Sequence, residues 1–191
     1  MKSIKFYTDF IKEKLSEARF THSVQTAEMS RELAYAHGFD PDKAYLAGIL
    51  HDVYKEECEK EMKKLAFSKT LEKSDMGLDP LEKKEYKLWH APAGAVYIKE
   101  SFGIQDPEII AAVRFHTVGR SGMTDLEKII YLGDLVEHGR DYPEVEKYRR
   151  FALWDLDEGM YEALKWAIDD NMQRDKRISR YTYEAYNYYV R

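Results

Sequence analysis

The sequence predicts an all-α protein, and three observations carry that prediction. Helix-start signals recur along the chain: Asp40-Pro41, Asp79-Pro80-Leu81-Glu82, Asp106-Pro107 and Thr124-Asp125-Leu126-Glu127 each place a capping side chain before a proline or an acid. Between those signals the apolar residues repeat at about 3.6, as in Leu46-Ile49-Leu50-Val53 and Leu126-Ile129-Ile130-Leu132-Leu135. No stretch alternates Val, Ile and Thr between hairpin turns.

The elements follow in order. The first two expected helices cover 4–17 and 20–37, the second closed by Gly38 as a C-terminal cap. Asp40-Pro41 opens 41–54, and a charged amphipathic stretch gives 57–66. The segment 67–79 is read as irregular. Asp79 caps 80–88, and small residues fill 91–102. Asp106-Pro107 opens 107–116, and the capping box at Thr124 opens 124–138. A long helical stretch over 144–173 and a tyrosine-rich 182–190 complete the set. Phe151, Trp154, Leu164 and Trp166 need cover, so this tail is expected to pack on the rest. Tyr181, Tyr183, Tyr186, Tyr188 and Tyr189 read first as one side of a packed terminal helix, with base stacking or a dimer face as the alternatives.

The chain has 191 residues, which favours one domain over 1–191, with a core at 18–140 and a helical flank at 141–191. The 30 basic and 35 acidic residues leave a formal charge of −5, which argues against a nucleic-acid binder that lives on phosphate contacts. No apolar run approaches the roughly 20 residues of a membrane helix, and the opening MKSIKFYTDFIKEKL lacks the apolar block of a secretory signal. Cys58 is the one cysteine, so no internal disulfide exists and a reducing cytoplasm is the expected compartment. Neither GxxxxGK[ST] nor GxGxxG is present, which excludes the usual P-loop and Rossmann nucleotide sites.

Chemistry concentrates in the histidines. His22, His37, His51, His90, His116 and His138 are the six, and His51 is followed by Asp52 at the end of an apolar helix. Imidazole and carboxylate together suit a divalent metal of the iron, manganese or zinc type. Asp134 interrupts the apolar Ile130–Leu135 stretch and needs a metal, a cation or hydrogen-bond donors if buried. Each residue alone has a plainer reading. A single histidine in a helical protein is more often a surface or hydrogen-bonded group, Asp52 could be a surface acid, and Asp134 could pair with an arginine. The ordered set His, His-Asp, His, His, Asp reverses that preference toward metal.

That set, with its neighbours, resembles the HD-domain metal-dependent phosphohydrolases, and within them the YqeK-type symmetrical diadenosine tetraphosphate hydrolases. The matching stretches are Arg19–Val24, Lys43–Lys55, Trp89–Ala95, Val113–Gly119 and Lys128–Asp134. The resemblance implies two divalent ions, iron in the first place and manganese as an alternative. His22, His51, Asp52 and Asp134 match the generic ligands, and His90 and His116 match the further pair of the two-metal subclass. It implies catalytic roles for His51, Asp52 and Lys55, and substrate contacts from Arg19, Lys55, His90, His116, Thr117 and Arg140. The implied reaction is attack of a metal-bridging hydroxide on an inner phosphorus, giving two ADP. The implied partner is a small nucleotide, with neither nucleic acid nor membrane, and a homodimer stays open. Another nucleotide substrate, or binding without catalysis, are the rival readings. Two stretches depart from the family pattern. Val136-Glu137-His138-Gly139-Arg140 stands where Ile-Glu-Pro-x-Arg is usual, and Ile178-Ser179-Arg180-Tyr181-Thr182 where Ile-His-Pro-x-Thr is usual. His138 is read as an exposed substitute for proline in preference to a support for Asp134.

Overall fold

The computed structural model describes residues 2–72 and 74–190. Among them it is helical without a strand. The helices are α1 (Ile4–Lys14), α2 (Glu17–Ala36), α3 (Pro41–Leu50), α4 (Glu59–Ala66), α5 (Lys69–Glu72), α6 (His90–Phe102), α7 (Pro107–Phe115), α8 (Asp125–Val136), α9 (Val145–Trp154), α10 (Leu156–Gln173) and α11 (Arg180–Tyr189), with a 3₁₀ turn at Tyr86–Leu88.

The capping signals act as read. Asp40 accepts the Asp42 and Lys43 N–H groups, Asp106 accepts that of Glu108, and Thr124 and Glu127 exchange the two bonds of a capping box. Four expected elements differ in extent. The first ends at Lys14 because Ser16 turns extended and caps α2, its hydroxyl accepting the Arg19 N–H. The third stops at Leu50, after which bonds from Val53 to Leu50 (3.1 Å) and from Lys55 to Asp52 (2.9 Å) wind the chain more tightly. The long C-terminal stretch splits at Asp155, which caps α10 through the Asp157 and Glu158 N–H groups. The expected 80–88 helix does not propagate. Asp79 and Glu82 do exchange capping bonds, but the Glu82 carbonyl is taken by the Trp89 indole N–H at 2.6 Å, not by the backbone one turn on. The stretch read as irregular holds the one-turn α5.

One apolar cluster runs from Tyr7 on α1 to Tyr189 on α11. Leu164 is buried in it, and Trp166 stacks on Tyr142 with ring centroids 5.2 Å apart. Trp154 is the exception to the expected cover: it ends α9 at 72% exposure. On the tyrosine-rich helix Tyr189 is buried and Tyr186 stacks on Tyr161, whereas Tyr183 and Tyr188 face solvent.

Two glycines set the spacing that matters. A β-carbon on Gly48 would lie 2.7 Å from the Ala27 Cα, and one on Gly133 would lie 2.5 Å from the Ser30 hydroxyl. The Ala27 contact is with backbone, so α2 lies against α3 at a separation only glycine permits, whereas on the α8 side a β-carbon would meet the Ser30 hydroxyl, which would have to turn away. Gly48 is three residues before His51 and Gly133 is one before Asp134. The close approach therefore brings His22 of α2 to both.

Candidate metal centre

Five segments meet at Asp52. His22 comes from the second turn of α2, His51 and Asp52 from the turn after α3, His90 from the first residue of α6, His116 from the C-terminal cap of α7, and Asp134 from α8. His22 Nε2 lies 3.2 Å from His51 Nε2, 3.1 Å from Asp134 Oδ1 and 3.9 Å from Asp52 Oδ2. His51 Nε2 is 3.5 Å from Asp52 Oδ2. On the other side, His90 Nε2 and His116 Nε2 each lie 3.4 Å from Asp52 Oδ1. The two oxygens of one carboxylate thus face two different groups of nitrogens.

The tautomers follow from what holds the rings. His51 Nδ1–H donates to the Gly48 carbonyl (2.6 Å), His90 Nδ1–H to that of Lys87 (2.9 Å) and His116 Nδ1–H to that of Val113 (2.8 Å). His22 Nδ1 faces Glu137 Oε1 at 3.3 Å. His51, His90 and His116 hold Nδ1 outward on a carbonyl and turn Nε2 inward, the orientation of metal-bound histidine. Sequence reading assigns no role to Glu137. Its signal is position: three residues past Asp134, it follows α8 directly and is buried.

The electrostatics favour a cation. Burial alone would raise the pKa of Asp52, but positive charge on the adjacent His51 and the nearby His116 and His51 ring nitrogens hold it well below the usual carboxylate range. Burial likewise opposes ionisation of Asp134, and its bond to His22 and the charges of His51 and His22 prevail, leaving it depressed. Burial lowers the pKa of His51, but Asp52 and Asp134 outweigh that and raise it. His90 goes the other way: burial and the nearby Lys55 ammonium push it well below the ordinary histidine value. Asp52 Oδ1 is buried with no hydrogen-bond partner. An orphaned carboxylate oxygen among inward-facing ring nitrogens fits a divalent cation. His22, His51 and Asp134, and separately His51, Asp52 and His116, are close enough to hold one.

The cationic residues take separate places. Arg19 Nη1 donates to Asp52 Oδ2 and Arg140 Nη2 to Asp134 Oδ1, both at 2.8 Å. Lys55 Nζ lies 3.1 Å from His90 Nε2. It reaches the site from beyond the end of α3, because the tight turn after Leu50 carries it across. Thr117 is not joined to the group: its hydroxyl is buried without a hydrogen-bond partner. His138 lies outside, bonded to Glu32 at 2.9 Å and half-exposed, and His37 bonds the Ala152 carbonyl. Cys58 is exposed.

A cleft of about 440 Å³ opens onto the Oδ2 side, bordered by Arg19, His22, Glu137, Arg140 and Tyr142. A larger one, about 570 Å³, lies between Pro80–Lys84 and Arg177–Tyr183 and touches none of the converging residues. The chemistry selects the smaller.

Four inward imidazoles and two carboxylates on a helical frame define a class, the histidine–aspartate centre of the HD domain. Residues 19–139 match the HD domain family, and the chain belongs to that family. Its similarity extends to the symmetrical bis(5'-nucleosyl)-tetraphosphatase of Bacillus subtilis, 34% identical over 180 residues and 94% of each chain. The protein of the same description from Halalkalibacterium halodurans is 36% identical over 177 residues, covering 93% of this chain and 91% of that one. Among solved structures, a Clostridium acetobutylicum protein described as a predicted HD superfamily hydrolase involved in NAD metabolism superposes with a TM-score of 0.90. It is 31% identical, over 99% of this chain and 97% of its own. Among the described residues no helix is long and apolar enough to cross a membrane.

Proposed function

We infer that this protein hydrolyses diadenosine tetraphosphate symmetrically to two ADP, the activity for which its relatives are named. The observation that carries the reading is the division of Asp52, one oxygen toward His22 and His51, the other toward His90 and His116. His22, His51, Asp134 and Asp52 Oδ2 would hold one divalent cation, and His90, His116 and Asp52 Oδ1 a second. The mixed imidazole and carboxylate set accepts iron, manganese or zinc, and we assign iron first. Such cations supply charge to phosphate oxygens and lower the pKa of water.

The chain's own residues do the rest. Arg19 and Arg140 border the cleft on its open side, where guanidiniums match phosphate oxygens in a bidentate way and neutralise a polyphosphate chain. Lys55 adds a point charge at the His90 edge, and burial together with that charge keeps the ring neutral. The substrate contacts of His116 and Thr117 rest on the family resemblance, since neither borders this cleft. In the reaction, water adds to one of the two inner phosphorus atoms, the central anhydride bond breaks, and its bridging oxygen leaves with the second ADP. Such a transfer needs positioning and charge neutralisation and no protein nucleophile.

The test is product chromatography on diadenosine tetraphosphate and a panel of mononucleotides, with iron or manganese supplied anaerobically. Two ADP per substrate is the expected outcome. AMP plus ATP, or turnover only of mononucleotides, would overturn the assignment.

A further inference from the structure

Arg114 stands two residues before His116 on α7, and its side chain is wholly buried. Its guanidinium makes four hydrogen bonds. Nη1 and Nη2 donate to the two carboxylate oxygens of Glu82 at 2.7 and 2.8 Å, Nε to the Met76 carbonyl at 2.8 Å, and Nη2 also to the Gly77 carbonyl at 3.0 Å. Glu82 is equally buried, and its carbonyl accepts the indole N–H of Trp89, the residue before His90. One ion pair therefore sits two residues from His116 on one side and one hydrogen bond plus one residue from His90 on the other. Those are the two rings that face Asp52 Oδ1.

A buried ion pair is a poor choice for stability alone. Stripping water from both charges costs so much that apolar side chains of equal volume do as well or better. What the pair provides is geometry: a bidentate fork fixes both the distance and the plane between its partners. Here the partners are the end of α7 and the segment leading into α6.

We propose that Arg114 and Glu82 are positioning residues. They set the spacing of the His90 and His116 Nε2 atoms, and through it the affinity of the Oδ1 side for its cation. The proposal rests on the two-cation reading given above.

The test is calorimetric titration of the whole chain with manganese, with circular dichroism and melting temperature recorded for each variant. Wild type is expected to take two ions. The double variant R114M/E82L refills the space with apolar side chains. It is expected to keep its helix content and to melt within a few degrees of wild type. One manganese should bind within threefold of wild type and the other about 10–100-fold more weakly. Arg114→Lys keeps the charge, loses the fork, and should show the same split to a smaller degree, with kcat lowered and KM little changed. It decides the matter if the double variant does not fold. Two ions bound as in wild type by the folded double variant, or by Arg114→Lys in its place, would overturn the proposal, as would equal weakening of both ions. If wild type itself takes no pair of ions, the two-cation reading fails first and the proposal with it.

Discussion

On the Oδ2 side of Asp52 the donors reach in from α2, α8 and the turn after α3, beside an open cleft with two arginines at its edge. On the Oδ1 side they come from the start of α6 and the end of α7, both rings are almost wholly buried, and a buried guanidinium braces them from behind. The open side orients His22 through a carboxylate, Glu137, whereas the closed side holds both rings by Nδ1 on main-chain carbonyls, with Lys55 beside His90. Two cations that share one bridging residue would thus rest on supports of different stiffness and different access to water. The open side is suited to meeting a charged substrate, and the closed side to keeping its geometry constant while that happens.

Asp52→Asn removes what the two sides share and should have the largest effect. Loss of activity by about 10³-fold or more is expected, with both bound manganese ions lost in elemental analysis and the helical circular dichroism unchanged. Retention of one ion at full affinity would show that the sides do not share this residue. Glu137→Gln acts on the open side alone. It weakens the orientation of His22 and should lower the affinity of one manganese by about 10–100-fold while leaving the other intact. Equal losses at both would erase the distinction drawn here.

Asp79→Asn probes the tie between the closed side and the C-terminal helix, and its effect should be the smallest. Asp79 accepts the Leu81 and Glu82 N–H groups on one oxygen and the Ser179 hydroxyl and Arg180 N–H on the other. Burial pushes its pKa up, but the Ser179 bond and the backbone donors outweigh that and leave it lowered. A lowered folded value means stabilisation that is complete above the ordinary carboxylate pKa and lost as the pH falls through the folded one. The melting temperature of Asp79→Asn should therefore fall below wild type by about 3 °C at neutral pH, for a loss of about 1 kcal/mol. The gap should close below about pH 4. A gap that widens in acid would reverse the sign of this account.

What could be read in the sequence was whatever depends on near neighbours. Asp40-Pro41, Asp106-Pro107 and the Thr124 box each satisfy orphan N–H groups within one turn, so their helices start where expected. The donor residues were legible as an ordered set, and the structure gathers His22, His51, Asp52, His90, His116 and Asp134 within a few ångströms. Extent was harder. Asp155 caps a following helix in the middle of a stretch that reads as one, and Ser16 caps α2 inside what reads as the last turn of the first helix. The Glu82 carbonyl lost its helical partner to an indole seven residues on, a competition no propensity records. Gly48 and Gly133 matter through contacts with Ala27 and Ser30, and Arg114 with Glu82 spans 32 positions. Such pairings carry no local signature. They are the parts of the site that only tertiary structure discloses.

The most direct test is an anomalous-scattering map from crystals of the whole chain loaded with manganese. Two peaks about 3.5–4 Å apart, one on the His22 and Asp134 side of Asp52 and one on the His90 and His116 side, are predicted. A single peak, or peaks away from Asp52, would contradict the account.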